Sequence, residues 1–400
     1  MNISRLAWSY LRAQPLATLL NIVLLTLGVA TIGFALLVDS QIGDALNRDA
    51  RDIDLIVGAK GSPIQLILAG IFHLDAPTGN IPLKAIADLR ADPRVRRVIP
   101  LSLGDSFRGY RIVGTSPDYI DLYDGKYASG HGWNDKMEAV LGATVASSTH
   151  LKLGDRFVGS HGLTEGGPVH ADSIYTIVGI LRPTGTVLDR LVLVNTESVW
   201  FVHEGKLVDP DERKVIEAER QVTVALVQYA SPLAAVSLPR KINTETDMLA
   251  ASPAFESARL FRMIGVGADV ITAFGGVVLA TAALSLFIAL YRALNERAYD
   301  IAVLRTLGMR PSRIAAMMLF EAFFLAAVGG FLGLLVGHVL VAILAWWIGT
   351  QDGLRISAAR LSLDELMLLI PAFVAALLAA LLPSWRAARA DIAGILARRS

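Results

Sequence analysis

The chain contains no cysteine, which excludes disulfides and thiolate metal centres and says little about compartment. Charge is scarce: Asp, Glu, Lys and Arg make up 18% of the 400 residues, against roughly one quarter in globular domains. Neither sign dominates, at a formal net charge of +1, so no bulk electrostatic partner and no nucleic acid is implied. No Gly-x-x-x-x-Gly-Lys-(Ser/Thr) stretch occurs, so the chain carries no ATPase phosphate loop of its own. VGAKGSP, Val57–Pro63, has that flavour with the wrong spacing and reads as a turn. There is no His-x-x-x-His and no His-Glu-x-x-His. The nearest thing to a nucleophile with a base is Ser147-Ser148-Thr149-His150, and adjacency in sequence is not a triad. The expectation is therefore no catalytic residue, no cofactor and no metal. His131, His150, His161, His170 and His203 read as scattered loop and surface residues, although SHGLTEGGPVH, Ser160–His170, is a Gly-rich loop with two histidines and Glu165.

What is abundant is apolar residue, at 54%, gathered in four blocks. They are Leu16–Val38, Val266–Tyr291, Ile314–Ile348 and Leu366–Leu382. A bilayer core about 30 Å thick needs about 20 helical residues, so each block predicts a transmembrane helix. The third is long enough to tilt or project. The first exceeds a signal-peptide core, and FALLVDSQ has no small-x-small cleavage site, so it reads as a retained anchor. The fold class expected is a membrane α-helical protein of four transmembrane helices with a large α+β extracytoplasmic domain inserted between helices 1 and 2.

Arginines set the orientation. Arg5 and Arg12 precede the first block, Arg292, Arg297, Arg305, Arg310 and Arg313 lie between the second and third, and Arg386, Arg389, Arg398 and Arg399 follow the fourth. All three groups fall on one side of a four-crossing chain, which makes that side cytoplasmic and puts both termini inside a plasma (inner) membrane. The predicted layout is an interfacial helix at 1–15, crossings at 16–38, 266–291, 314–348 and 366–382, and an outer domain at 39–265. A cytoplasmic loop at 292–313, an outer loop at 349–365 and a cytoplasmic tail at 383–400 complete it.

Within the outer segment, ADPRVRRVIPLSL and YRIVGTSPDYI alternate as paired strands do, and IPLKAIADLRADP predicts a helix between Pro82 and Pro93. AVLGATVASSTHLKLGDRFVG predicts a short helix, a turn at Leu153-Gly154-Asp155 and a strand. Further strands are expected in YTIVGILRPTG, LDRLVLVNTESVWFV and QVTVALVQYAS, for a domain of two lobes. Ser40–Ala50 and Pro253–Ile264 have helical spacing and either continue the first two crossings as a stalk or form separate short helices. Ile64–Phe72 is nearly all apolar, so it is either buried or faces a partner, a lipid or a second copy.

The loop ERAYDIAVLRTLGMRPSRI, Glu296–Ile314, predicts a short amphipathic helix, ended at Gly308 by a left-handed residue and followed by a new helix at Pro311. RAYDIAVLRTLG, followed by Arg313-Ile314, Glu321-Ala322 and Gly329, Gly330 and Gly333, resembles the permeases of one ABC transporter superfamily: macrolide exporters, lipoprotein-releasing complexes and the division protein FtsX. LLPSWRAARADIAGIL, Leu381–Leu396, and VLGATVASSTHLKLGDRF, Val140–Phe157, resemble the same family's closing segment and outer-domain turn. Asp54–Ile86 departs from the family's usual opening.

The resemblance implies a mechanical role and a dimer. The short cytoplasmic helix would fit a cleft on a separate ABC ATPase dimer, joined by a second permease copy or homologue, and the outer domain would engage a periplasmic or outer-membrane partner. Ile301, Leu304 and Leu307 would be the apolar contacts, Glu296, Arg297, Asp300 and Arg305 would orient the helix, and Gly308 would end it. Glu321 would couple structure, and Gly329, Gly330, Gly333 and Gly337 would allow close helix packing. Export or extraction of a substrate is the leading expectation. Regulation of a cell-wall hydrolase, as in FtsX, and a membrane-anchored binding or sensing module are the alternatives.

Overall fold

The computed structural model describes residues 3–162, 167–204, 217, 219–348, 357–361 and 363–389. The chain forms two compact units. One comprises Met1–Gln41, Ile264–Trp347 and Ile356–Ser400, and the other Ile42–Met263 with Ile348–Arg355. The expected loop at 349–365 and the tail beyond Arg389 lie largely outside the described residues, as does Glu165.

The chain opens with α1 (Ile3–Ala13) and α2 (Pro15–Asp49), the latter begun by a proline whose missing N–H costs nothing at a helix start. The second unit follows with β1 (Leu55–Ala59), α3 (Pro63–Gly70), β2 (Ile81–Pro82), α4 (Leu83–Ala91), β3 (Val95–Leu101), β4 (Asp105–Phe107) and β5 (Tyr110–Thr115). It continues with α5 (Asp118–Leu122), β6 (Tyr127–Gly130), β7 (Glu138–Leu141), α6 (Ala143–Thr149), β8 (Arg156–His161) and β9 (Val169–Leu181). Then come β10 (Val192–Asn195), α7 (Thr196–Glu204), β11 (Gln221–Val222), β12 (Val224–Tyr229), α8 (Ala234–Glu245) and β13 (Met248–Ala251). The strands form a four-stranded sheet, β13-β1-β12-β3, a seven-stranded sheet, β6-β9-β7-β10-β5-β4-β8, in which β8 also pairs with β9, and a two-stranded pair, β11-β2.

The period of two along each strand builds this unit. Ile56, Leu226 and Ile99 of the first sheet share one apolar cluster with Val113, Val140 and Leu193 of the second, so that cluster is the layer between the sheets. The alternate residues turn away. Leu55, Val57, Ala225 and Val227 pack under α4 and α8, while Ile112, Ala139, Leu141, Val192 and Val194 form the other outer layer. β3 and β5, which read as a pair, belong to different sheets and form no ladder with each other; the isolated bridge Ser102–Gly114 and the bond from Thr115 Oγ1 to the Pro100 carbonyl (2.9 Å) link them. β3 pairs with β12, more than a hundred residues on, and β5 lies between β4 and β10, the latter about 80 residues on; local alternation carries no information about partner. Ile64–Phe72 is settled as core. Leu66, Ile67, Ile71 and Phe72 are buried in the intersheet layer, which removes the segment as a candidate partner surface.

After β13 the chain runs through α9 (Pro253–Glu296), α10 (Ala298–Thr306), α11 (Pro311–Ile348), α12 (Leu363–Met367) and α13 (Leu369–Ala388). The helices α2, α9 and α11, and the segment Glu365–Ala388 that holds α13, are long and apolar enough to cross a membrane. Their outward faces are apolar too: Val270, Phe274 and Val277 on α9 and Phe331, Leu335 and Ile343 on α11 are exposed. In water that much exposed hydrocarbon would be a large apolar patch, and in lipid it is the expected exterior. Inside, Leu25 and Val29 of α2, Leu279 and Leu286 of α9, Met318 and Leu325 of α11 and the i,i+4 series Ala372, Ala376, Ala380 of α13 form one cluster. α2 and α9 exceed a single crossing, and the C-terminal end of α2 and the N-terminal end of α9 lie in the second unit, where a Cβ on Gly43 would meet the ring of Phe261.

Candidate functional site

The loop that stood out in the sequence folds as α10, and its boundaries have local causes. Leu307 closes the helix and Gly308 takes φ +92°, a conformation that a side chain would strain. The Gly308 N–H then donates to Arg305 O (3.0 Å) and the Met309 N–H to Leu304 O (3.0 Å), the paired bonds of a Schellman stop. Leu304 and Met309, both half-buried, are the residues placed to make its apolar contact. Pro311 begins α11 two residues later.

Side chains anchor α10 on three sides. Arg297, just before it, donates to Glu321 of α11 (Nη1 to Oε1, 3.0 Å) and lies 3.8 Å over the Tyr10 ring of α1. The two charged groups are 11% and 4% exposed. Arg305 donates to the Ala388 carbonyl at the end of α13 (3.1 Å). Glu296, the last residue of α9, accepts from Gln14. Ile301 is 2% exposed and packs in the helical cluster, so in this chain it does not face outward with Leu307, which is 79% exposed. Asp300 is also exposed. In the sequence Tyr10 belongs to the apolar face of the N-terminal helix, with Ile3, Leu6, Ala7 and Leu11, and nothing links it to Arg297, hundreds of residues away, which it covers.

The glycines of α11 sit where α2 and α13 come closest. A Cβ on Gly329 would lie 2.6 Å from Leu25 Cβ, one on Gly333 2.6 Å from Val29 Cβ, and one on Gly330 2.8 Å from Leu369 Cδ2. Thr26 Oγ1 donates to the Gly329 carbonyl (3.2 Å) across the same contact. At Gly337 the nearest atom would be 3.5 Å away, ordinary van der Waals distance.

The second unit gathers a group that the sequence reading left scattered. β4 and β5 form a hairpin through Arg108 and Gly109, both at positive φ (49° and 80°), the geometry of a tight two-residue turn. On its other edge β4 pairs with β8, which sets Asp105 opposite His161. β9 returns beside β8 and brings His170, and α7, held on the outer layer by Val199 and Val202, brings His203. His161 Nδ1 and His170 Nε2 lie 3.1 and 3.4 Å from Asp105 Oδ1, and His203 Nε2 lies 3.2 Å from Oδ2. Burial alone would raise the Asp105 carboxyl, but the three imidazoles outweigh it and hold it below the usual carboxylate range. The bond to Asp105 correspondingly raises His203. His131 and His150 stay apart from this group, with His131 bonded to the Gly132 carbonyl and His150 capping α6 at φ +59°.

Two family descriptions match this chain: the MacB-like periplasmic core domain over residues 18–237 and the FtsX-like permease C-terminal domain over residues 272–392. A curated relative, the lipoprotein-releasing system transmembrane protein LolC of Neisseria meningitidis serogroup B, is 23% identical over 274 residues. That match covers 65% of this chain and 62% of LolC, so the chain spans less than two thirds of that relative's length. Among solved structures, the periplasmic region of MacB from Actinobacillus actinomycetemcomitans is 11% identical at a TM-score of 0.36, over 54% of this chain and 97% of that one. The extracellular domain of the noncanonic ABC-type transporter YknZ from Gram-positive bacteria is 13% identical at a TM-score of 0.29, over 50% and 99%. The chain belongs to the ABC-type permeases that combine a MacB-like periplasmic core domain with an FtsX-like permease domain.

Proposed function

We propose that this permease is the force-transmitting subunit of an ABC complex in the inner membrane, with both termini cytoplasmic. A separate ATPase dimer docks on α10, and a second permease, identical or related, completes a two-fold assembly. ATP-driven closure displaces α10, and the long helices α2 and α9, which contribute residues to both units, carry the displacement to the outer domain. That domain exports or extracts a substrate. The subunit itself is not an enzyme, since hydrolysis resides in the ATPase.

The observation that carries this reading is the anchoring of α10 together with its exposed tip. A loop present only to hold positive charge on one membrane face needs no buried ion pair. Here Arg297 and Arg305 are committed to Glu321 and Ala388, while Leu307 is left without cover. An exposed leucine beside a fixed turn suits an apolar cleft on a partner.

The test is a mild-detergent pull-down of the tagged chain from native membranes, followed by mass spectrometry and an ATPase assay. Recovery of a small ATPase with the wild type is expected. Leu307→Asp should reduce co-recovered ATPase at least about tenfold, the loss expected when a central apolar anchor becomes a charge, with the permease's melting temperature unchanged. Equal recovery by wild type and variant would reject the docking role of α10.

A further inference from the structure

We infer that Asp105, His161, His170 and His203 form a binding site for a zinc-class divalent transition metal on the second unit. This inference does not depend on how α10 is coupled.

The donor set is the first reason. Three imidazoles and one carboxylate suit Zn²⁺ and its neighbours in the first transition row, whereas Mg²⁺ and Ca²⁺ take oxygen shells. The spacing is the second. A tetrahedral shell with bonds of about 2.0–2.1 Å places neighbouring donor atoms about 3.3–3.4 Å apart. The imidazole-to-carboxylate distances are 3.1, 3.2 and 3.4 Å, and all four ligand atoms lie within 4.8 Å of one another.

The third reason is what the group lacks without an ion. Asp105 Oδ1 and His170 Nε2 are fully buried and, among the described residues, neither has a hydrogen-bond partner of acceptable geometry. Buried polar atoms left this way are costly, and here they converge. The rings also crowd, with centroids 4.2, 5.0 and 5.4 Å apart. One carboxylate can balance one imidazolium. Three imidazoles turned onto it are better balanced by a cation that uses the lone pair of each.

Access separates this from a sealed structural centre. Asp105 is 3% exposed and His170 17%, but His161 and His203 are 43% and 38% exposed. The ion would enter past those two rings. It would also join β4, β8, β9 and α7, segments distant in the chain, so binding should stabilise this unit against unfolding.

The experiment uses the full chain, purified in detergent micelles and stripped with a chelator. Zn²⁺ is titrated against a competing chromophoric zinc indicator, with thermal unfolding followed in parallel. Co²⁺ loading then reports geometry through its visible ligand-field bands. The expected results are one Zn²⁺ per chain, a raised melting temperature and an intense tetrahedral-type Co²⁺ spectrum. His203→Gln, at a partly exposed position where the fold should survive, is expected to weaken binding by more than the about 10–100-fold typical of losing an outer-shell partner. His161→Gln should do the same, while His131→Ala and His150→Ala should bind like wild type. Stoichiometric binding that is equally strong in His161→Gln and His203→Gln would place the metal elsewhere and overturn the inference, as would absence of binding by the wild type.

Discussion

Replacing Glu321 by leucine removes the carboxylate but leaves the Arg297 guanidinium, only 11% exposed, in the same place. Breaking a buried pair on one side costs about 3–5 kcal/mol, because an uncompensated charge stays behind. The residual contacts of Arg297 are the Tyr10 ring at 3.8 Å and the Tyr10 carbonyl at 3.4 Å. They offset part of that cost, which places Glu321→Leu near the lower figure, at about 3 kcal/mol. Glu321→Gln also leaves the guanidinium charge uncompensated but keeps an oxygen to accept the 3.0 Å bond, so its cost, about 2 kcal/mol, is smaller than that of leucine. The double variant Arg297→Met/Glu321→Leu exchanges both ions for apolar volume and should lie within about 1 kcal/mol of wild type. Unfolding of the full chain in detergent, followed by circular dichroism against denaturant, would rank the three. The expected order of stability is wild type and double variant together, then Gln, then Leu. If Glu321→Leu falls within about 1 kcal/mol of wild type, or the double variant is as unstable as the single one, the pair is not the anchor described here.

Gly333→Ala should destabilise the helical unit by about 1–3 kcal/mol, because the new methyl would lie 2.6 Å from Val29 Cβ, while Gly337→Ala should be near neutral with its nearest atom 3.5 Å away. Equal unfolding midpoints for the two would remove the close-packing argument. In the second unit, Arg94 clasps Asp92 through bonds of 2.9 and 2.6 Å and holds its carboxyl far below the usual range. A carboxylate depressed in the native state adds stability above its unfolded pKa and loses it as pH falls through the native one. The gap between wild type and Asp92→Asn, about 1 kcal/mol, should therefore be full above about pH 5 and close progressively below about pH 4. A gap that grows on acidification would show the sign to be wrong.

The helical unit was legible in the sequence because its determinants are local. Composition marks the long helices, and Gly308 and Pro311 mark where α10 stops and α11 starts. α4 and α6 were legible for the same reason, the first lying between Pro82 and Pro93 and the second ahead of the Gly154 turn. Strand partnership was not local. β3 and β5 look like neighbours because each alternates, yet each is buried against strands from the far half of the domain. The same physics hid the histidine cluster. Asp105 meets His161 through the β4–β8 register, between strands about 50 residues apart, and His203 arrives on a helix, so no spacing in one dimension could bring them together. The one visible hint was the pair of histidines flanking the Gly-rich stretch 161–170, and both belong to the cluster.

The anchoring of α10 also bears on how a push on it would travel. A flexible loop dissipates displacement, because its backbone rotates before its neighbours move. α10 has little such freedom: Ile301 is inserted in the helical core, Arg297 is bonded to α11 and stacked on α1, and Arg305 is bonded to the end of α13. Displacing it without moving those helices would break a buried ion pair and expose apolar area, a cost of several kcal/mol. Moving with them breaks neither. On the proposed reading, force delivered at Leu307 therefore reaches the whole helical unit as a rigid displacement, and Glu321 matters because it keeps the point of application from slipping.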